Sequence, residues 1–119
     1  MAYRDPQDQR AAVSRHYQAN KEIYKARARA HTTRERERVK EFLRSYLADH
    51  PCIDCGEHDP IVLEFDHREG VDKKFTLGDS VRTGHSLRSV MAEVDKCDVR
   101  CANCHRRITY RRAGRTHRG

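Results

Sequence analysis

The chain has 119 residues, a net charge of +7, 36% hydrophobic residues and 36% charged ones, with a mean hydropathy of −1.02. One domain with an appendage fits that length, and so thin an apolar fraction needs help from something other than core burial. No run of roughly 18 apolar residues occurs, so no membrane span or membrane partner is expected, and "MAYRDPQDQR" has no secretory hydrophobic region, so a cytosolic location is expected.

The charge is unevenly distributed. Residues 1–51 hold 12 Lys/Arg against 7 Asp/Glu, residues 52–104 hold 7 against 11, and residues 105–119 hold 6 against none. Basic ends around an acidic middle suggest a polyanionic partner, most simply nucleic acid, and a middle segment that holds cations.

In chain order, residues 7–30 are rich in helix formers, with Val13, Tyr17, Tyr24 and Ala28 on a thin stripe. They predict a basic helix that leans on a partner or orders on DNA; a floppy basic tail is the plainer reading. A second helix is expected over 33–49. Thr32 and Glu35 match a capping box, and Val39, Phe42, Leu43, Tyr46 and Leu47 recur at steps of three and four. His50-Pro51 should end it. "CIDCGEHDP" is a tight cysteine turn with Gly56, and the alternating "IVLEFDH" at 61–67 predicts a strand. Residues 68–85 read as loop with a short strand over Phe75–Leu77. Residues 86–97 read as a helix with Leu87, Val90, Met91 and Val94 on one face. A second strand over Asp98–Cys101 and a helix over 103–115, with Asn103 near its cap, complete the chain.

Cys52-x2-Cys55 and Cys101-x2-Cys104 are two CxxC turns with 45 residues between them. Each turn aims two thiolates at one ion, and two turns supply the four sulfurs of a closed structural Zn²⁺ site. Such a site would clamp the base of everything from Ile53 to Arg100 and offset the thin core. Cys97 has no pair and reads as a half-buried free thiol on a helix. Disulfides and CxxC redox chemistry are the competing uses of the frame.

The clamp gives "LEFDHREG" its meaning. His105 follows Cys104 directly, so a shared ion would draw His105 and the Asp66–His67 pair into one neighbourhood. That set suits phosphodiester hydrolysis. A carboxylate and an imidazole, Asp66 and His105, can hold a divalent cation; a second imidazole, His67, can take the proton from water. Neighbours on a regular strand face opposite ways, so a bend near Gly70 is needed for Asp66 and His67 to point together. Arg106, Arg107, Arg111 and Arg112 lie on the helix of His105, where they can grip phosphates or merely solvate a surface.

"LEFDHREG" with "CDVRCANCHRRIT", inside the CxxC frame and spanning roughly 52–112, resembles the HNH endonucleases, the ββα-metal nucleases of phage and bacterial type. The resemblance implies an α+β fold: a small ββα-metal core stapled by a four-Cys zinc site. The expected organisation is a basic helical extension over 1–50 that acts as a DNA-binding arm, a nuclease domain over 51–113 and a basic tail over 114–119. It implies hydrolysis of DNA strands to 5′-phosphate and 3′-hydroxyl ends. His67 matches the general base, Asp66 and His105 the ligands of a catalytic divalent ion (Mg²⁺ or Mn²⁺, with Ni²⁺ and Zn²⁺ as further candidates), and the four cysteines the zinc set. The implied partner is DNA, met mostly through phosphates, in a phage or bacterial DNA-processing setting such as packaging, homing, restriction or repair. One position departs from the pattern: the middle asparagine of the motif, which helps orient the base, is replaced by Lys96 or a neighbour. Asn103 is carried as a substitute, and a helix cap is an equal reading of it.

His16, His31, His50, His58, His85 and His117 read as ordinary exposed residues, His58 being nearest the zinc turn; Glu64 and Asp98 read as supports for the site. A zinc-ribbon protein that grips DNA without cutting it is the alternative function.

Overall fold

The computed structural model describes residues 5–114. The chain divides by compactness into residues 1–34 and residues 35–119. The elements, in order, are α1 (Pro6–Ala19), α2 (Lys21–Asp49), β1 (Leu63–His67), α3 (Leu87–Val94), β2 (Cys97–Cys101) and α4 (Ala102–Arg112), with 3-10 turns at Pro60–Val62 and Leu77–Asp79.

In the first unit, Asp5 caps α1 by accepting a hydrogen bond from Gln7 N at 2.9 Å. Asn20 ends α1, its side-chain nitrogen donating to His16 O. The expected break near residue 31 is absent, because α2 runs unbroken from Lys21 to Asp49. Thr32 therefore caps nothing; its hydroxyl donates back to Ala28 O. α1 buries no residue, and Val13 and Ile23 are exposed.

The second unit is α+β: a two-stranded antiparallel sheet with helices. The register pairs Leu63 with Cys101, Phe65 with Val99, Asp66 with Asp98 and His67 with Cys97, and α4 packs on both strands. β1 begins two residues later than expected, because Pro60 and the Asp59 carboxylate, which accepts from Ile61 N at 3.0 Å, wind residues 60–62 into a turn. Phe75–Leu77 forms no strand: its sequence enters the Leu77–Asp79 turn, and the Phe75 ring stacks on His85 at 3.7 Å, leaving His85 half-buried rather than exposed. β2 begins at Cys97, so this thiol lies buried in a strand and not on a helix. Burial, reinforced by the charge of Glu93, pushes it up to about 11.

Val39, fully buried, packs with Leu77, Val90, Val94 and Cys97, while Leu63 and Val99 pack with the buried cysteines; Tyr46 and Phe65 touch both groups. The second half of α2 thus shares the core of the cysteines, within a unit that begins at Glu35. Gly114 is the last described residue of the expected basic tail; residues 115–119, with His117, lie outside the description.

Candidate metal centre and active-site cleft

The cysteine centre is built by backbone. In the turn 52–55, Gly56 N donates to Cys52 O at 2.9 Å and Ile53 N to Val99 O at 3.0 Å, which pins the first CxxC to β2. Gly56 has φ of 78°, the left-handed conformation the turn requires. Cys101 ends β2 and caps α4, its sulfur accepting from Cys104 N at 3.4 Å. Asn103 is therefore not the cap; it sits exposed in the first turn of α4.

The four sulfurs lie within 4.8 Å of one another. Cys55 Sγ and Cys101 Sγ are 3.7 Å apart, too far for a disulfide, and all the cysteines are free thiols. A tetrahedral ion with sulfur at about 2.3 Å needs sulfur–sulfur edges of about 3.8 Å. The cluster matches that edge and is placed to hold one metal ion such as zinc. Its thiols are unequal. Burial opposes ionisation of Cys52, but backbone N–H groups outweigh it and hold that thiol down to about 6, whereas the neighbouring Cys101 sulfur and burial push Cys104 up to about 12. A bound cation would favour the thiolate of every member. His58, exposed, joins no such cluster among the described residues.

Beside this centre, β1 sends alternate side chains to different helices. Glu64 and Asp66 face α4: Glu64 Oε1 lies 2.9 Å from His105 Nδ1, and Asp66 Oδ1 lies 3.4 Å from His105 Nε2. Glu64 thereby orients the His105 ring. Asp66, 4% exposed, is also bound by Arg112 Nη1 on Oδ1 at 2.8 Å and Arg100 Nη1 on Oδ2 at 2.5 Å. Burial alone would raise the Asp66 carboxyl, but the hydrogen bonds from Arg112 and Arg100 bring it below the ordinary aspartate range. Arg100 in turn binds Asp54 at 2.7 Å and approaches Asp98 at 3.6 Å, so Asp54, Asp98 and Asp66 share one guanidinium.

His67 faces the other way. Its Nε2 lies 2.7 Å from Oε2 of Glu93 on α3. The expected bend that would turn Asp66 and His67 together does not occur, because β1 stays paired through His67–Cys97 and keeps its alternation. Although the two side chains point apart, Asp66, His67, His105 and Arg112 all line one cleft of about 600 Å³.

Glu93 and Arg100 were not singled out by the sequence, and Lys96 only as an occupant of the place of the motif's middle asparagine. Met91, assigned to the buried face of α3, is 46% exposed, while Glu93, 1% exposed, takes the place between Val90 and Val94. The signal was available: Glu93 lies three residues after Val90, on the apolar stripe. Of the four arginines of α4, Arg112 is engaged by Asp66 and approaches Glu69 at 3.7 Å. Arg106, Arg107 and Arg111 are exposed and make no ion pair among the described residues.

Comparison of the chain with protein-family models, with curated proteins and with solved structures finds no match in any of the three. Among the described residues no helix is long and apolar enough to cross a membrane.

Proposed function

We propose that this protein is a metal-dependent endonuclease of the HNH type, hydrolysing DNA phosphodiester bonds in the cytosol, with the strands β1 and β2 and the helix α4 as a ββα-metal core around a structural zinc ion. The observation that carries the reading is the joint presence of Asp66, His67 and His105 on one cleft beside the four sulfurs. A binding module has no need to combine these three groups.

Asp66 and His105 would hold the catalytic ion, Mg²⁺ or Mn²⁺ in the first instance. When bound, it supplies positive charge to the scissile phosphate and to the leaving oxygen. His67 accepts the proton of the attacking water. Glu64, through its contact with Nδ1, leaves Nε2 of His105 for the cation. Arg106 and Arg107, exposed in the first turns of α4, are free to grip flanking phosphates, and the basic helices of residues 1–34 add contacts to phosphates with little regard for sequence.

One observation favours the non-catalytic DNA-binding alternative: Asp66 already has both carboxylate oxygens occupied by guanidinium groups, as in a purely structural ion-pair network. Plasmid nicking decides between the two. Zinc-loaded protein given Mg²⁺ or Mn²⁺ should nick supercoiled DNA, and His67→Ala should do so only at a small residual rate. DNA binding without strand breaks across several metals would select the alternative.

A further inference from the structure

Glu93 is a carboxylate 1% exposed on the apolar face of α3, a placement that costs free energy unless donors satisfy it. Three donors do so, from three separate segments. Lys96 Nζ binds Oε1 at 2.8 Å, and His67 Nε2 and Lys74 N bind Oε2 at 2.7 and 3.1 Å. Lys96 also donates to Asp72 O at 2.7 Å, so its ammonium is fixed as well. Neutralising Glu93 needs only Lys96; the bond to His67 needs another explanation.

We propose, resting on the nuclease reading, that the Lys96–Glu93 pair is the device that positions His67 and selects which of its ring nitrogens acts as the base. It stands in for the asparagine that the motif would place near Lys96. An ionised carboxylate only accepts hydrogen bonds, so the Nε2 beside it carries the hydrogen and Nδ1 keeps the lone pair. Burial would raise the Glu93 carboxyl, but the hydrogen bonds from Lys96 and His67 outweigh it and hold it at about 2, so the acceptor is ionised at neutral pH. The imidazole, 13% exposed and lining the cleft, is thus held in one tautomer and one orientation. Proton transfer then runs from water to Nδ1, with the positive charge on the ring balanced by Glu93. Glu93 touches no reacting atom and acts only through His67.

The experiment uses the full zinc-loaded chain. Glu93→Gln should keep its zinc content and bind a DNA duplex, followed by fluorescence anisotropy, within about twofold of wild type. Its single-turnover cleavage rate should fall on the order of tenfold to a hundredfold, part of the 10²–10⁴-fold that a positioned base supplies. Placed in His67→Ala, the same substitution should cost nothing more. Long-range ¹⁵N–¹H spectra of the wild type, which need no variant to fold, should show the neutral His67 ring protonated at Nε2. The inference is overturned by a Glu93→Gln that cuts at the wild-type rate, by losses that multiply in the double variant, or by a ring protonated at Nδ1. Wild type that binds DNA yet cuts none with any metal instead removes the nuclease reading, and the role of Glu93 with it.

Discussion

His105 Nε2 lies 3.4 Å from Asp66 Oδ1, although the two residues are separated by the whole of α3 and β2. His105 owes that position to its neighbour Cys104, which is bound into the sulfur cluster, and to α4, which packs on β1 and β2. Sulfur centre and candidate active site are therefore one construction, and damage to the first should reach the second.

Removal of the metal tests this coupling. One zinc per chain is expected by elemental analysis. Chelation, or Cys52→Ser, Cys101→Ser or Cys104→Ser, should lower the melting temperature well beyond about 10 °C, since each kcal/mol is worth about 4–8 °C in a domain of this size. DNA cleavage should disappear with it.

Arg112 occupies Asp66 Oδ1, where on the nuclease reading it would compete with the catalytic cation. Arg112→Ala should therefore lower the Mn²⁺ concentration needed for half-maximal cleavage. Arg106→Ala and Arg107→Ala should instead weaken DNA binding, each reducing the slope of log affinity against log salt by about one. Titrations of metal and of salt separate the two behaviours.

Glu93 predicts an acid limit. Its folded pKa, about 2, lies below its ordinary value of 4.5. Its contribution to stability is thus complete above pH 4.5 and is lost as the pH falls from there towards 2. Asp66, also depressed, acts in the same direction. Denaturant unfolding of wild type and Glu93→Gln should converge as the pH is lowered through that window, and the difference between them isolates Glu93 from loss of metal.

The core is expected to respond to the second half of α2 and not to α1. Val39→Ala, at a fully buried position, should cost about 2 kcal/mol, whereas Val13→Ala, at 64% exposure, should stay within about 0.5 kcal/mol. Chemical denaturation measures both.

The sequence made much of this legible through residue spacing. The two CxxC turns predicted the sulfur cluster, and the apolar repeat from Val39 to Leu47 predicted the buried face of α2. Alternation in "LEFDH" located β1, and its regularity correctly implied that Asp66 and His67 diverge; the bend proposed to bring them together is absent, and the two share only the lining of one cleft. The capping-box match at Thr32 and Glu35 misled, since the same residues are acceptable inside a helix; Glu35 instead accepts from Leu87 N at 3.0 Å, a contact 52 positions away. Glu93 and Arg100 were missed for a related reason. A charged residue on an apolar stripe reads as solvated until its partners are known, and those partners come from other segments: His67 and Lys74 for Glu93, Asp54 and Asp66 for Arg100.

The central claim is that Asp66, His67 and His105 cut DNA together. Its most direct test is to map the products of zinc-loaded protein on a defined duplex with Mg²⁺ or Mn²⁺. The account predicts strand breaks bearing 5′-phosphate and 3′-hydroxyl ends, abolished by chelation and reduced to a small residual rate by His67→Ala. Intact duplex bound by metal-loaded wild type, or equal cutting by His67→Ala, would contradict it.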